Sequence, residues 1–159
     1  MSQNPYSNNV LLNLGIQSLN KMQEVAQNAI LNEDNILLLS PTGSGKTLAF
    51  LLPIFQLLEE DVKGVQCLIL VPSRELGLQI EQVWKKMGTH YKVNTCYGGH
   101  SIDIEINNLS NPPALLIGTP GRIADHIERG SFATENVKTY VLDEFDKSLQ
   151  LGFHEEMSY

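Results

Sequence analysis

Five short apolar runs stand out along the chain, and amphipathic or polar segments separate them. These runs read as continuous apolar patches more than as an alternation of apolar and polar residues, which is typical of parallel strands that are buried on both faces. We therefore predict one strand at each run. The five predicted strands cover residues 36–39, 67–71, 93–97, 115–117 and 137–142.

The segments between these runs carry helical periodicity. After Arg74, and again after Lys46, apolar residues recur on a single helical face. They are Leu76, Ile80, Val83, Trp84 and Met87 in the one segment, and Leu48, Leu51, Leu52, Phe55 and Leu58 in the other. Trp84 is therefore expected in the core, and Pro53 is expected to kink its helix. Alternating strands and helices predict an α/β fold, with a parallel sheet covered by helices on both faces.

Composition narrows the class of protein. The 159 residues suffice for one domain or slightly less, and an apolar fraction of 42% can build a core. The net charge of -7 argues against nucleic-acid binding through bulk positive charge, although backbone amides and a few arginines could still contact phosphates. Cys67 and Cys96 lie in strand-like runs without metal or disulfide spacing, which predicts buried thiols. No membrane span or secretory signal is recognisable, so we expect a cytoplasmic protein.

Residues 40–47 read Ser-Pro-Thr-Gly-Ser-Gly-Lys-Thr, directly after an apolar run and before a helical segment. A phosphate-binding loop needs this context, because glycines let backbone N–H groups turn towards phosphates and the helix adds positive partial charge. Lys46 is predicted to reach the β- and γ-phosphates, and the Thr47 hydroxyl to bind Mg²⁺. Ser40 stands where the strict motif has glycine. The other candidate ATP-binding residues of the loop are Thr42, Gly43, Ser44 and Gly45.

The last apolar run ends in acidic residues. Asp143 and Glu144 follow it directly, and a nucleoside triphosphatase needs one carboxylate for the metal and a group that activates water. Asp143 is predicted to hold Mg²⁺, directly or through its water, and Glu144 to orient and deprotonate the attacking water. The alternative is an acidic helix start with Asp143 as N-cap. With Lys46, these two carboxylates make up the predicted catalytic residues.

Together, these motifs resemble those of the DEAD-box helicases of helicase superfamily 2. The first loop of that family begins with alanine or serine, as it does here at Ser40. The acidic motif is similar except that Phe145 replaces the usual alanine, and residues 152–156 resemble the family's Gly-Phe stretch. The resemblance implies a RecA-like P-loop NTPase fold, with ATP and Mg²⁺ as cofactors. It also implies that Asp146 couples the ATP state to the grip on RNA.

The resemblance further implies a glutamine that reads adenine. Gln23 lies 23 residues before Lys46, which is the family's spacing, and Tyr6 lies 17 residues before Gln23, where an aromatic residue is expected. A side-chain amide both donates and accepts hydrogen bonds, so it can favour adenine over guanine. The Pro-Thr pair that usually precedes this glutamine is Leu19 and Asn20 here. A solvated helical Gln23 and a Tyr6 that only packs in the core are the alternatives.

Three more segments follow predicted strands and resemble the family's RNA-contacting motifs. They are residues 72–74, 98–99 and 119–122, with Ser73 in place of a threonine. Hydroxyls, glycine amides and helix N-termini can bind phosphate oxygens without reading bases, so RNA binding with little sequence preference is implied. Each segment alone could be an ordinary turn. The candidate RNA contacts are Pro72, Ser73, Arg74, Gly98, Gly99, Thr119, Pro120, Gly121 and Arg122.

The resemblance implies that residues 1–159 form the N-terminal RecA-like ATP-binding domain of an ATP-dependent RNA helicase, which unwinds short RNA duplexes. The family's Ser-Ala-Thr motif and second RecA-like domain do not occur in this sequence. We therefore expect a domain that is incomplete at its C-terminus, nearly inactive alone, and marginally stable because interior strand edges are open. The alternative is a nucleotide- and RNA-binding module without independent catalysis. Gln23 and the Asp-Glu-x-Asp motif disfavour a DNA helicase, and a kinase would not explain residues 119–122.

Overall fold

The computed structural model describes residues 5–153 and 155–158. The helices are α1 (Pro5–Leu14), α2 (Lys21–Asn32), α3 (Lys46–Leu57), α4 (Arg74–Met87), α5 (Ile102–Leu109), α6 (Pro120–Glu128) and α7 (Phe145–Gln150), and a short 3₁₀ helix covers Glu156–Ser158. The strands are β1 (Cys67–Leu70), β2 (Val93–Cys96), β3 (Leu115–Gly118) and β4 (Thr139–Leu142). None of the described helices combines the length and the apolar character that crossing a membrane requires.

The chain folds into two compact units. The first comprises the chain up to Leu58 together with Gln82–Thr89, and the second comprises Glu59–Glu81 together with the chain from His90 onwards. The first unit therefore contains α1 to α3 and the predicted phosphate loop. The second unit contains all four strands and the predicted acidic motif.

The second unit contains a four-stranded sheet with the strand order β2-β3-β1-β4 and parallel pairing throughout. Strands β1 and β3 are buried at every position, whereas exposed and half-buried residues alternate in the edge strand β4. Leu68 and Leu70 of β1 pack into a core cluster with residues of β2, β3, α5 and α6. Cys67 and Ile69 point to the opposite face of the sheet and are equally buried. Both faces of the sheet are therefore covered at β1 and β3, whereas β4 leaves one face exposed, and the predicted α/β fold with a parallel sheet is confirmed.

The first predicted strand is wrong. Residues 36–39 form no strand in the structure, and the side chains of Leu37 and Leu39 are 69% and 81% exposed. An apolar run becomes a strand only if a neighbouring strand takes up its backbone hydrogen bonds. Within residues 5–153 and 155–158, no strand pairs with this segment. An apolar run therefore predicts a buried strand correctly only where a strand from another part of the chain pairs with it.

The amphipathic helices are confirmed. In α4, Ile80, Trp84 and Met87 are fully buried. The ring of Trp84 meets the ring of Phe55 edge-on, with the two ring centroids 6.3 Å apart. Trp84 is therefore a core residue, as predicted. Pro53 lies inside α3 and is itself buried, and the predicted kink at this position stays a prediction.

The end of β3 has room only for glycine. A side chain at Gly118 would place its Cβ 2.5 Å from Cδ1 of Ile123 and 2.8 Å from the backbone oxygen of Cys96. Strand β2 and helix α6 can therefore approach β3 closely at this point. Cys96 and Cys67 are both buried and free, which confirms that they are core thiols.

Candidate functional site

The predicted phosphate loop leads into α3, and its backbone requires glycine at two positions. Gly43 and Gly45 have φ angles of 80° and 89°, in the left-handed region that other residues rarely adopt. A side chain at Gly45 would also place its Cβ 2.5 Å from Nε2 of Gln23. Gly45 is the N-cap of α3 and offers no side chain to the first helical turn. The free N–H groups of that turn are the groups that bind anions at helix starts.

The polar side chains of this loop bind the loop itself. Nζ of Lys46 donates a hydrogen bond of 2.7 Å to the backbone oxygen of Ser40. The hydroxyl groups of Ser40 and Ser44 are hydrogen-bonded at 2.6 Å. The ammonium group is thus held across the loop, next to the amides that would surround a phosphate. Thr42 is exposed, and Thr47 in the first turn of α3 is half-buried.

Gln23 and Asn20 connect α2 to the phosphate loop. Oε1 of Gln23 accepts from the backbone N–H of Asn20, and Oδ1 of Asn20 accepts from the backbone N–H of Gln23, so the two residues form a reciprocal cap at the start of α2. Nε2 of Gln23 donates to the backbone oxygen of Gly45 at 3.2 Å, and Nδ2 of Asn20 donates to that of Ser44 at 3.1 Å. Gln23 is 7% exposed, so the solvated helical glutamine is wrong. Asn20, which departs from the family's threonine, supplies the capping oxygen.

Two predicted positions lie wholly or partly outside the residues that the structure describes. The backbone of Tyr6 belongs to α1, but its side chain lies outside the described residues, and so does the whole of His154 in the Gly-Phe stretch. The adenine-facing role of Tyr6 therefore stays a prediction.

The register of the sheet brings four predicted segments to one edge of the second unit. Leu70, the last residue of β1, pairs with Gly118 at the end of β3 and with Leu142 at the end of β4, and Gly118 pairs in turn with Cys96 at the end of β2. All four parallel strands therefore end in line, and ligands collect at this edge in α/β sheets. The segments that follow the strands are residues 72–74, 98–99, 119–122 and 143–144.

Side-chain contacts join the first two of these segments. The guanidinium carbon of Arg74 lies 4.8 Å from the ring centroid of Tyr97, which is a cation–π contact. The hydroxyl of Ser73 accepts a hydrogen bond from the backbone N–H of Leu76 at 3.3 Å, so it caps the start of α4. Gly98 has open space around it, and Gly99 has a φ angle of 81°.

A buried glutamate lies behind the second and third segments. Glu105 of α5 is 3% exposed. Its Oε1 accepts from the backbone N–H of Tyr97 at 3.2 Å, and its Oε2 lies 2.8 Å from Nε2 of the fully buried His126 and 3.7 Å from Nε of Arg122. Nη2 of Arg122 donates to the backbone oxygen of His100 at 3.1 Å. Arg122 is only 14% exposed, so most of its side chain is engaged inside the unit.

Glu105 and His126 were not predicted as site residues, although the sequence contains a signal for each. Glu105 lies at helical spacing between Ile102, Ile106 and Leu109, in a stripe that is otherwise apolar. His126 follows Ile123 by three residues on the buried face of α6. A charged residue inside an apolar stripe indicates a buried polar group that needs partners.

Glu105, His126 and Cys96 offer ligand atoms within 4.8 Å of one another. Burial, reinforced by the nearby charge of Glu105, raises the pKa of Cys96 to about 12, so its thiol stays protonated at neutral pH. The guanidinium of Arg122 beside Glu105 opposes a cation at the same place. An adjacent positive charge disfavours a metal cation at this place, so the contacts favour an ion-pair network.

The acidic motif forms a strained turn between β4 and α7. Glu144 has a φ angle of 50° and is the N-cap of α7, so the alternative of Asp143 as N-cap is wrong. The backbone N–H of Asp143 donates to the oxygen of Leu70 at 3.0 Å, which ties the turn to β1. Oε2 of Glu144 lies 2.6 Å from Nζ of Lys147, and this hydrogen bond raises the pKa of Lys147. Asp146 is exposed in the first turn of α7.

The chain is similar to proteins of one known family over most of its length. The family model described as DEAD/DEAH box helicase matches residues 20–159. The ATP-dependent RNA helicase DeaD of Escherichia coli (strain K12) is 36% identical over 150 residues, which are 92% of this chain and 24% of that protein. The DEAD-box ATP-dependent RNA helicase CshA of Bacillus cereus is 42% identical over 118 residues, which are 73% of this chain and 22% of that protein. The chain thus spans about a quarter of the length of these curated relatives.

Solved structures give a concordant result. A DEAD box protein from the hyperthermophile Methanococcus jannaschii superimposes with a TM-score of 0.91 at 35% identity, over 99% of this chain and 44% of the other. The yeast DEAD-box splicing factor Prp28 superimposes with a TM-score of 0.85 at 31% identity, over 94% of this chain and 37% of the other.

Proposed function

The chain belongs to the DEAD/DEAH box helicase family, and on that premise we propose that it is the N-terminal RecA-like ATP-binding domain of an ATP-dependent RNA helicase. In this proposal the protein that carries the chain couples ATP hydrolysis to RNA binding and to the unwinding of short RNA duplexes. It acts in the cytoplasm, together with a second RecA-like domain. Residues 1–159 supply the ATP site and one half of the RNA site.

The phosphate loop fits the triphosphate of ATP. Its two left-handed glycines, the uncapped start of α3 and the ammonium group of Lys46, which is bonded across the loop to Ser40, all belong to residues 40–47. When bound, ATP supplies the transferable phosphoryl group and Mg²⁺ supplies positive charge beside it. Lys46, now bonded to Ser40, would hold the β- and γ-phosphate oxygens, and Thr47 would supply a hydroxyl ligand to the metal. Gln23, held against the loop, and Tyr6 recognise the adenine base. The remaining loop contacts come from Ser40, Thr42, Gly43, Ser44 and Gly45.

The acidic turn supplies the other catalytic groups. Asp143 would hold Mg²⁺, directly or through water, and Glu144 would orient and deprotonate the attacking water. The contact with Lys147 supports this role, because a hydrogen bond of 2.6 Å from Nζ of Lys147 to Oε2 holds the Glu144 carboxylate in one orientation. Asp146, exposed beside it, couples this turn to the RNA-bound state.

The strand ends of the second unit bind the RNA backbone. The backbone N–H groups of Gly98, Gly99 and Gly121 and the hydroxyl groups of Ser73 and Thr119 can all donate to phosphate oxygens. Such contacts need little net positive charge, which is consistent with a chain of net charge -7. The observation that carries the proposal is the in-line ending of the four strands, because it gathers these segments at a single edge.

RNA-stimulated ATP turnover by the protein that carries this chain tests the proposal. We expect single-stranded RNA to stimulate turnover, and Glu144→Gln to lower the stimulated rate by about 10²–10⁴-fold, the usual contribution of a general base. Glu135→Gln is the matched control, because it removes the same charge from an exposed position. Turnover that RNA does not stimulate, or that survives Glu144→Gln, would contradict the proposal. The alternative of a binding module without catalysis predicts that ATP and RNA bind but that no variant turns over ATP.

A further inference from the structure

Glu105 is a buried carboxylate in an otherwise apolar stripe of α5. Its neighbours along the stripe of α5 are Ile102, Ile106 and Leu109, and the side chain is almost completely buried. Removing a carboxylate from water is unfavourable, and replacing a buried ion pair by apolar residues is often neutral or stabilising. Packing alone therefore does not explain a carboxylate at this position. Its contacts indicate what it does.

The two oxygens of Glu105 serve different elements. Oε1 accepts from the backbone N–H of Tyr97 and lies 3.5 Å from Nδ1 of His100, so it holds the turn that follows β2. Oε2 is bonded to His126 and lies beside Arg122, so it holds the first two turns of α6. An apolar side chain could fill the space but could not hold both elements at once.

The partners of Glu105 fix one arrangement of these two elements. A carboxylate can only accept, so Nε2 of His126 carries the hydrogen and donates it. Nδ1 of His126 is buried without a hydrogen-bond partner among the described residues, which leaves the ring no alternative bond there. Arg122 closes the network through its bond to the backbone oxygen of His100. Gly98 and Gly99 lie in the sequence between Tyr97 and His100, and both of these flanking residues are bonded in the network.

We propose that Glu105 is a positioning residue for RNA binding, which sets the turn at Gly98 and Gly99 and the start of α6 in the one relative arrangement that fits an RNA backbone. This inference rests on the proposed function. Glu105 does not itself touch RNA. It acts through Tyr97, Arg122 and His126, and it converts two separate backbone segments into a single rigid surface. Rigid donors bind phosphates better, because less conformational entropy is lost on binding.

The direction of the expected effect separates positioning from simple charge. Removing a negative charge near an RNA site should strengthen binding if only bulk electrostatics matter. Positioning predicts the opposite for Glu105→Ala. Asp103→Ala is the matched control, because it removes the same charge from an exposed position two residues earlier on α5. Glu105→Gln is the conservative variant, because its amide oxygen can still accept from Tyr97 and its amide nitrogen can donate to the other tautomer of His126.

The first measurement needs no RNA. Hydrogen exchange of peptides that cover residues 97–100 and 119–123 should be faster in both peptides for Glu105→Ala and close to wild type for Asp103→Ala and Glu105→Gln. Urea unfolding of each variant identifies any global loss of structure. If neither peptide exchanges faster in a folded Glu105→Ala protein, the network does not hold these elements and the inference is overturned.

The second measurement titrates a labelled single-stranded oligoribonucleotide at fixed salt into the protein that carries this chain. We expect Glu105→Ala to weaken RNA binding about tenfold, the size typical of a lost hydrogen-bond network that includes charges, with ATP affinity unchanged. Glu105→Gln should restore most of the affinity. If Glu105→Ala cannot be purified folded, Glu105→Gln and Glu105→Leu replace it, with binding retained in the first and weakened in the second.

A double-variant cycle decides whether Glu105 acts through Arg122. If it does, the variant with both residues changed to alanine should bind RNA no more weakly than the weaker single variant. Additive losses, or a Glu105→Ala protein that binds RNA as well as Asp103→Ala does, would overturn the inference. If the wild-type protein itself binds no RNA, the proposed function is overturned instead, and hydrogen exchange still reports whether the network exists.

Discussion

The conformation of the phosphate loop in the first unit depends mainly on contacts between residues that are neighbours in sequence. The strand ends of the second unit, in contrast, are brought together by the pairing of strands in a sheet. In the loop, Lys46, Ser40 and Ser44 bind one another within seven residues, and two glycines fix the backbone. The strand-end segments come from four parts of the chain, and Glu105, which matches no motif, holds two of them. A local site is disabled most strongly by changing its own residues, and the support that this loop receives from α2 comes from Gln23 and Asn20. A distributed site can also be disabled from a distance.

The largest expected effect concerns the local site. Changing Lys46 to alanine removes the one ammonium group of the loop, and losing one such stabilising group typically lowers turnover by about 10²–10³-fold. We expect ATP turnover to fall by that factor while the urea midpoint changes little, because the bonds of Lys46 stay inside the loop. Steady-state ATPase assays measure it, with Lys63→Ala, an exposed lysine, as control. A loss below tenfold would mean that the loop does not bind the reacting phosphates.

The next largest effect concerns the distributed site and Gly118, a residue without a side chain. Gly118→Ala forces a methyl group against Ile123 and the backbone of Cys96, and such overpacking typically costs about 1–3 kcal/mol. We expect the free energy of unfolding in urea to fall by that amount and RNA affinity to fall with it. Gly98→Ala, which has open space and no positive φ, should leave stability close to wild type. Equal stability of both variants would show that β3 and α6 can move apart without loss.

The third prediction tests whether the phosphate loop depends on support from α2. Asn20→Ala removes a helix cap, which costs about 1 kcal/mol, together with the bond to the backbone oxygen of Ser44. Asn20→Asp keeps the capping oxygen and loses only the bond to Ser44. We expect urea unfolding to show a loss for the first variant and little for the second, and ATP affinity to fall in both. Asn9→Ala, an exposed residue of α1, is the control. Unchanged ATP affinity in Asn20→Asp would mean that the loop needs no support from α2.

The smallest effect concerns the buried thiol beside the Glu105 network. Burial raises the pKa of Cys96 from 9.0 to about 12, so between these values the unfolded state loses the proton first and stability falls as pH rises. At pH 9.0 the loss of folding stability that this thiol causes is about 0.4 kcal/mol, and at neutral pH there is no such loss. Urea melts from pH 7 to 10 should show a steeper alkaline loss for the wild type than for Cys96→Ala. Parallel curves would mean that the thiol reaches solvent in the folded protein.

How well an element of the fold could be predicted depended on how far apart in sequence its interacting residues lie. Four of the five strands were predictable, because continuous apolar runs form buried parallel strands wherever a sheet receives them. Residues 36–39 have the same apolar character but no pairing among the described residues, and nothing in the run itself encodes that difference. Trp84 was predictable as core because its position depends only on the period of its own helix.

The candidate site divides in the same way. The sequence by itself determined the phosphate loop, the acidic turn and the strand-end segments, because glycine spacing, capping and the order of strand and turn act between residues that are close along the chain. Only the tertiary structure decided that Gln23 and Asn20 reach the carbonyl groups of Gly45 and Ser44, and that Glu105 meets Arg122 and His126. The physical reason is that a buried polar group must find its partner in space, and a partner twenty residues away is chosen by the fold and not by the local sequence.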